Sequence, residues 1–194
     1  MTTWFTSDTH YFHNNIIKYS ERPFENVEEM NEALVQNWNN LVSVKDTVWH
    51  LGDVSFGSEE DTVNLMRRLN GTKHLLFGNH DDDRWNWEKI FKSVQHYKEM
   101  KLNKHKLIMF HYPILSWNGG HRGSWHLHGH CHSNLDNHNK GNTRLDVGVD
   151  GHNYKPINFD RIFEILNDNK FLSLDHHVSR SISEQLRAIG LKEV

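Results

Sequence analysis

Asp8-Thr9-His10, Gly52-Asp53, Gly78-Asn79-His80-Asp81, His111 and Gly129-His130-Cys131-His132 put carboxylate, amide and imidazole groups into five short clusters. Carboxylate oxygen and imidazole nitrogen are ligands for divalent metals, and the chain holds 17 histidines against 12 glycines and one cysteine. A crowd of such groups at one place needs cations to be tolerable, and their number suits two ions better than one. Asp8 and His10, one residue apart, can point to the same side of an extended segment and grip one ion; the same reasoning applies to His130 and His132. Taken singly, Asp-x-His and Gly-Asp are ordinary turn sequences, and Gly-Asn-His-Asp can be a turn with an Asn cap. All five following strand-like runs in order is a stronger pattern than any one of them.

The runs that must position these groups are Thr3 to Ser7, Thr47 to Leu51, Lys73 to Phe77, Lys106 to Phe110 and Ser124 to His128, with a sixth from Arg144 to Val149. They read as strands, and ligands in α/β sheets bind at the carboxyl ends of strands. Val27, Met30, Leu34, Trp38 and Leu41 recur at helical spacing after Asn26, with Glu29 as its capping partner. A second helix is expected after Ser58, with Leu65, Met66 and Leu69 buried and Gly71 ending it. Strand–helix alternation predicts parallel pairing in the first half of a layered α/β domain. The closer spacing of the later strands suggests a more antiparallel second half. From Ser179 onward, Ser181 and Glu184 form a capping box before Ile182, Leu186 and Ile189, so a helical appendage is expected over 179–194 on a main domain of 1–178.

With 194 residues, 36% of them hydrophobic, the chain makes one ordinary domain. Lys plus Arg (22) nearly balance Asp plus Glu (25), which argues against long nucleic acid or an acidic membrane as partner. One cysteine excludes an internal disulfide and suits a reducing compartment. No basic leader or long apolar run is present, so a soluble, unprocessed cytoplasmic protein is expected.

The ordered motifs resemble those of the calcineurin-like metallophosphoesterases: Asp-x-His, Gly-Asp, Gly-Asn-His-Asp, a lone His and Gly-His-x-His, from Asp8 to His132, closest to small single-domain bacterial and phage members. The resemblance implies a four-layer α/β/β/α sandwich of two mixed sheets flanked by helices. It implies that Asp8, His10, Asp53 and His132 hold one metal, and that Asp53, Asn79, His111 and His130 hold the other, with Asp53 bridging. Two divalent ions, two carboxylates and a bridging hydroxide leave a net charge of roughly +1, which attracts a phosphate ester, and the neutral amide of Asn79 preserves it. Mn is expected by resemblance, with Fe, Zn, Co or Ni also compatible with the O and N donors. In-line attack by the bridging hydroxide would need a proton for the leaving group. His80, beside Asn79 but outside the ligand set, is the expected general acid, with Asp81 fixing its tautomer.

The Gly-Asp motif continues Val54-Ser55 and so lacks the Asp-Arg-Gly continuation of the Ser/Thr protein phosphatases, whose Arg clamps a dianionic monoester. A phosphodiester is therefore expected, a nucleotide-derived one being a candidate, with a phosphomonoester or pyrophosphate as the alternative. A non-catalytic scaffold is argued against by retention of Asp8, Asn79 and His80. The expected partner is a small phosphate ester; oligomeric state is not readable. Substrate contacts are sought in Asp82 to Trp87 and Ser116 to Trp125, with Arg122 and His121 as phosphate-binding candidates, although packing over a small core also accounts for these Trp residues. His126 and His128 are expected to be packing or ligand-orienting groups, and His50 and His74 structural; Cys131 is read as packing. The spacing of His13, Asp146, Asp150 and His152 is not diagnostic, although their segments follow a motif or a strand end.

Overall fold

A computed structural model describes residues 1–170, so the expected appendage and its boundary lie outside the described residues. In chain order the strands are β1 (Thr3–Thr6), β2 (Thr47–His50), β3 (Thr72–Leu76), β4 (Ser93–Gln95), β5 (Tyr97–Leu102), β6 (His105–Phe110), β7 (Trp125–His128), β8 (Arg144–Asp146) and β9 (Ile157–Asn158). The helices are α1 (Asn14–Tyr19), α2 (Val27–Asn39), α3 (Glu59–Arg67), α4 (Asp136–Asn139) and α5 (Phe159–Leu166). Two mixed sheets result, one ordered β4-β3-β2-β1-β9 and the other β5-β6-β7-β8.

Alternation along the strands builds two cores. Trp4, Val48 and Leu75 point toward α2 and α3, where Met30, Leu34, Trp38, Leu65 and Met66 close the first core. Their neighbours Phe5, Trp49 and Leu76 point the other way, against Leu107, Met109, Trp125 and Leu127 of the second sheet and Ile162 and Leu166 of α5. A period of two therefore sorts adjacent residues into different layers. The helix starts follow local hydrogen bonding. Asn26 accepts the Glu29 N–H at 2.8 Å, and the Glu29 carboxylate reaches back to the Glu25 N–H at 2.7 Å. Ser58 accepts the Asp61 N–H at 3.1 Å. The C-cap of α3 is Arg68, earlier than expected, and Gly71 at φ +87° makes the turn into β3.

β1, β2 and β3 pair in parallel as expected, in the register Phe5 with Trp49 with His74. The expectation of a more antiparallel second half is corrected: β6–β7 and β7–β8 are parallel, and only β5–β6 is antiparallel in that sheet. The connections His111 to Ser124 and Gly129 to Thr143 each span the dozen or so residues that a parallel crossover requires, without containing a long helix that would advertise it. Strands β1, β2, β3, β6 and β7 consequently deliver their carboxyl ends to the same edge. No helix among the described residues is long and apolar enough to cross a membrane.

Candidate metal centre

Beyond the strand ends the backbone turns left-handed: Asp8, His10, Asp53, His130 and His132 have φ of 55°, 50°, 57°, 70° and 47°. This is uncommon for residues other than glycine, although Asp and His tolerate it better than most. The extended geometry expected for Asp8-x-His10 and His130-x-His132 is therefore corrected. Asp8 and His10 still meet, joined by His132, with ligand atoms within 4.8 Å of one another. His130 diverges from His132 and joins Asp53 and His111 in a second such cluster. Asn79 Oδ1 sits 3.1 Å from His111 Nε2 and 3.0 Å from His130 Nδ1, which adds it to the second group. Asp53 lies between the two: its Oδ2 is 3.6 Å from both His10 Nε2 and His111 Nε2. Its Oδ1 accepts the His80 backbone N–H at 2.9 Å, which fixes the carboxylate's orientation.

Close approach of two loops makes this possible. A Cβ on Gly78 would strike the Asp53 carboxylate, and one on Gly52, at φ +100°, would lie 2.7 Å from His111 Nδ1. The loop of Asp8 is laced to that of Asp53, with the Asp8 and His10 N–H groups donating to the Gly52 and Asp53 carbonyls at 3.0 and 3.1 Å. Beneath them His50, buried, accepts the Gly52 N–H through Nδ1 at 3.2 Å. Its Nε2–H therefore donates to Thr9 Oγ1 at 3.0 Å.

The donor set fits divalent ions. His10 is buried with neither ring nitrogen hydrogen-bonded, an expensive arrangement unless a metal takes the lone pair. Burial, reinforced by Asp146 and Asp53, pushes the Asp8 carboxyl well above the ordinary carboxylate range, a charge conflict that a nearby cation relieves. Burial first, then His132, holds His10 below the usual imidazole value, leaving it a neutral donor. His111 Nδ1–H donates to the Leu51 carbonyl at 2.7 Å, so its Nε2 lone pair faces the second cluster. His132 Nδ1–H donates to Asp150 at 2.7 Å, which leaves its Nε2 for the first.

Two expectations about the surroundings, the role of Asp81 and the place of Arg122 and His121, are corrected. Asp81 does not serve the His80 ring: its carboxylate accepts the N–H groups of Asp53, Val54 and Gly78 at 2.9, 2.9 and 2.8 Å, clamping the two ligand loops together. Backbone amides of tight turns outcompete an exposed ring for this carboxylate; the His80 ring instead packs 4.7 Å from Phe56 and 5.7 Å from His10. Arg122 and His121 lie away from the centre. Arg122 shares a cleft with Lys104, His105 and Trp125 at the amino ends of β6 and β7, whereas His111 and His130 follow the carboxyl ends. Six residues of strand from His105 to His111 separate these ends by roughly 20 Å. The tryptophans pack: Trp87 and Trp117 are buried, and Trp85 packs against the first core. His126 and His128 are likewise buried beneath the backbone, hydrogen-bonded to Ile108 and Gly129 carbonyls at 3.1 and 2.9 Å.

Sequence reasoning missed Arg22. It is buried, pairs through two nitrogens with Asp150 at 2.8 and 2.9 Å, and donates to the carbonyls of Asp8 and Thr9 at 2.7 and 3.0 Å. Burial alone would raise the Asp150 carboxyl, but hydrogen bonds from His132 and Arg22 hold it below its ordinary value. One guanidinium thus ties the Asp8 loop to the carboxylate that orients His132. No local pattern marks it: Arg22 stands in the polar stretch Ser20-Glu21-Arg22-Pro23, where a solvated charge is the ordinary reading.

Comparison with known proteins agrees with this architecture. An uncharacterized protein, MJ1445, of Methanocaldococcus jannaschii is 38% identical over 170 residues, covering 84% of this chain and 90% of that one. The gene 66 protein of Mycobacterium phage L5 is 29% identical, covering 82% and 80%. A crystal structure of a protein of unknown function, AQ665 from Aquifex aeolicus, shares the fold with a TM-score of 0.69 at 24% identity, covering 84% of this chain and 98% of that one. The calcineurin-like phosphoesterase profile matches residues 1–192. With that match over nearly its whole length, the chain belongs to the calcineurin-like phosphoesterases, hydrolases of phosphate esters that work with divalent metal ions.

Proposed function

We propose that the protein is a two-metal phosphodiesterase acting on a small phosphate diester in the cytoplasm, with manganese as its ion. Asp8, His10 and His132 would hold one ion, Asn79, His111 and His130 the other, and Asp53 both. The observation that carries this reading is the single Asp53 oxygen at 3.6 Å from a histidine nitrogen of each cluster. When bound, the ions supply Lewis acidity to a phosphoryl oxygen and to the attacking water. The chain's own part is orientation and proton supply. Gly52 and Gly78 let the loops meet, Asp81 locks them, Asp150 and the Leu51 carbonyl set the His132 and His111 tautomers, and His80 protonates the leaving oxygen.

Preference for a diester is supported by how Arg22 is used. The arginine that reaches the ligand loops is engaged by Asp150 and two carbonyls, so its charge is matched inside the protein rather than offered to a dianion. A singly charged diester matches such a site. The cytoplasm is supported by cysteine usage: the single Cys131 forms no internal disulfide and suits a reducing compartment.

The test compares a monoester and a diester of one chromogenic phenol, with metal stripped and then with Mn restored. Activity should vanish on stripping and return with Mn, with a diester-to-monoester ratio well above one. Asp53→Asn should lose metal more severely than His132→Ala. Full turnover by a chain verified metal-free would overturn the two-metal reading, and a ratio below one would redirect it to monoesters.

A further inference from the structure

The aromatic groups that stand open at the metal centre are not the tryptophans. Phe56 is 42% exposed, on the loop that carries Asp53. Its ring stacks on His13 with 3.8 Å between centroids and 18° between planes, and lies 4.7 Å from His80 and 5.4 Å from His10. Tyr19, 74% exposed, meets the far edge of His13 at 6.3 Å and lengthens the rim. The loop bearing Phe56 is held in place. Its N–H donates to the Tyr11 carbonyl at 2.8 Å, and the next residue, Gly57, packs so closely that a Cβ there would lie 2.6 Å from the Phe12 ring.

An exposed apolar ring gains nothing from water, and a stacked pair of rings beside a cationic centre is a surface suited to another planar ring. On the opposite flank Tyr112 stands edge-on to His130 and His111, at 63° and 77°, and so backs no comparable stacked pair. We infer that Phe56, backed by His13, is a stacking platform for a nucleobase carried on one ester arm of the substrate phosphate. The inference rests on the two-metal phosphodiesterase reading and names its substrate class. It places base recognition on the rim of the Asp53 loop rather than on the Trp segments.

The test uses the Mn-loaded full chain and calorimetric titration with thymidine 5′-monophosphate and with methyl phosphate, which shares the phosphate but lacks a ring. The nucleotide should bind about 5- to 150-fold tighter, the range of one base–aromatic stack. Phe56→Leu, which keeps apolar bulk but removes the platform, should bring that ratio close to one with Mn content unchanged. Phe56→Trp should keep it, and Tyr112→Leu should leave it intact. A wild-type ratio near one, or a ratio unmoved by Phe56→Leu, overturns the platform. Diester hydrolysis by the same samples separates the two claims. A hydrolase without ring preference sinks only the platform, whereas Phe56-dependent nucleotide binding by a chain that hydrolyses no diester sinks only the phosphodiesterase reading.

Discussion

His80 is where metal assembly and proton transfer can be told apart. Its backbone N–H braces Asp53, but a side-chain substitution leaves that hydrogen bond in place, and the ring stands exposed near Phe56 and the candidate ligand His10. His80→Ala should therefore keep both ions and the fold while turnover falls by roughly 10² to 10⁴, the usual contribution of a positioned acid. The loss should depend on the leaving group, mild for nitrophenolate and severe for an alkoxide that must be protonated on departure. Rate measurements on the two ester classes decide it; equal losses would assign the ring to substrate orientation instead. Asp81, by contrast, carries its effect through three backbone amides, so its importance is architectural although it adjoins His80 in sequence.

Among the elements, the connections carry more of the site than the strands do. The segment between α1 and α2 brings Arg22 under the Asp8 loop, and the turn after β8 brings Asp150 to both Arg22 and His132. Asp150→Asn removes the charge that orients His132 and matches Arg22. On the proposed assignment, an ion at Asp8, His10 and His132 should then bind about 10- to 100-fold more weakly, as when other ligand-orienting groups are lost. Metal titration should show one of the two sites weakened and the other retained; equal weakening of both would mean the loop network moves as one unit. Of the elements not foreseen, β5 was the most readable. Asn103 and Lys104 form a tight left-handed turn, with φ of 46° and 73°, between Tyr97–Leu102 and His105–Phe110.

At the scale of the whole molecule, the fold buries imidazoles that bond to backbone and hydroxyl groups. Burial lowers His50 and His126 to about 3. In the unfolded chain each would titrate near 6.5, so below that pH the unfolded state binds more protons than the folded one. Their contribution is fully present above pH 6.5 and is lost as pH falls from there toward 3. Each group costs up to about 1.4 kcal/mol per pH unit in that window. Denaturant unfolding of the metal-free chain between pH 7 and 5 should show this loss, with a shallower slope in His126→Gln. An unchanged slope would mean that His126 takes up no more protons unfolded than folded, so that its burial does not set the pH dependence.

Most of the candidate metal-site residues were legible because strand ends are local. An apolar run followed by Asp, Asn or His needs no long-range information to be recognised. The same holds for the helix caps at Asn26 and Ser58, where side chain and amide lie three residues apart. Tertiary structure alone decided which candidate ligands lie together. His130 and His132 are close in sequence but part company at left-handed backbone torsions, His130 meeting Asp8 and Asn79, 122 and 51 residues away, and His132 meeting Asp150, 18 residues away. It also decided against Arg122, because a loop that follows one ligand in sequence returns the chain to the opposite end of the sheet before the next strand begins. Local pattern names the chemistry a residue can do; the crossovers of the parallel sheet settle which residues are close enough to do it together.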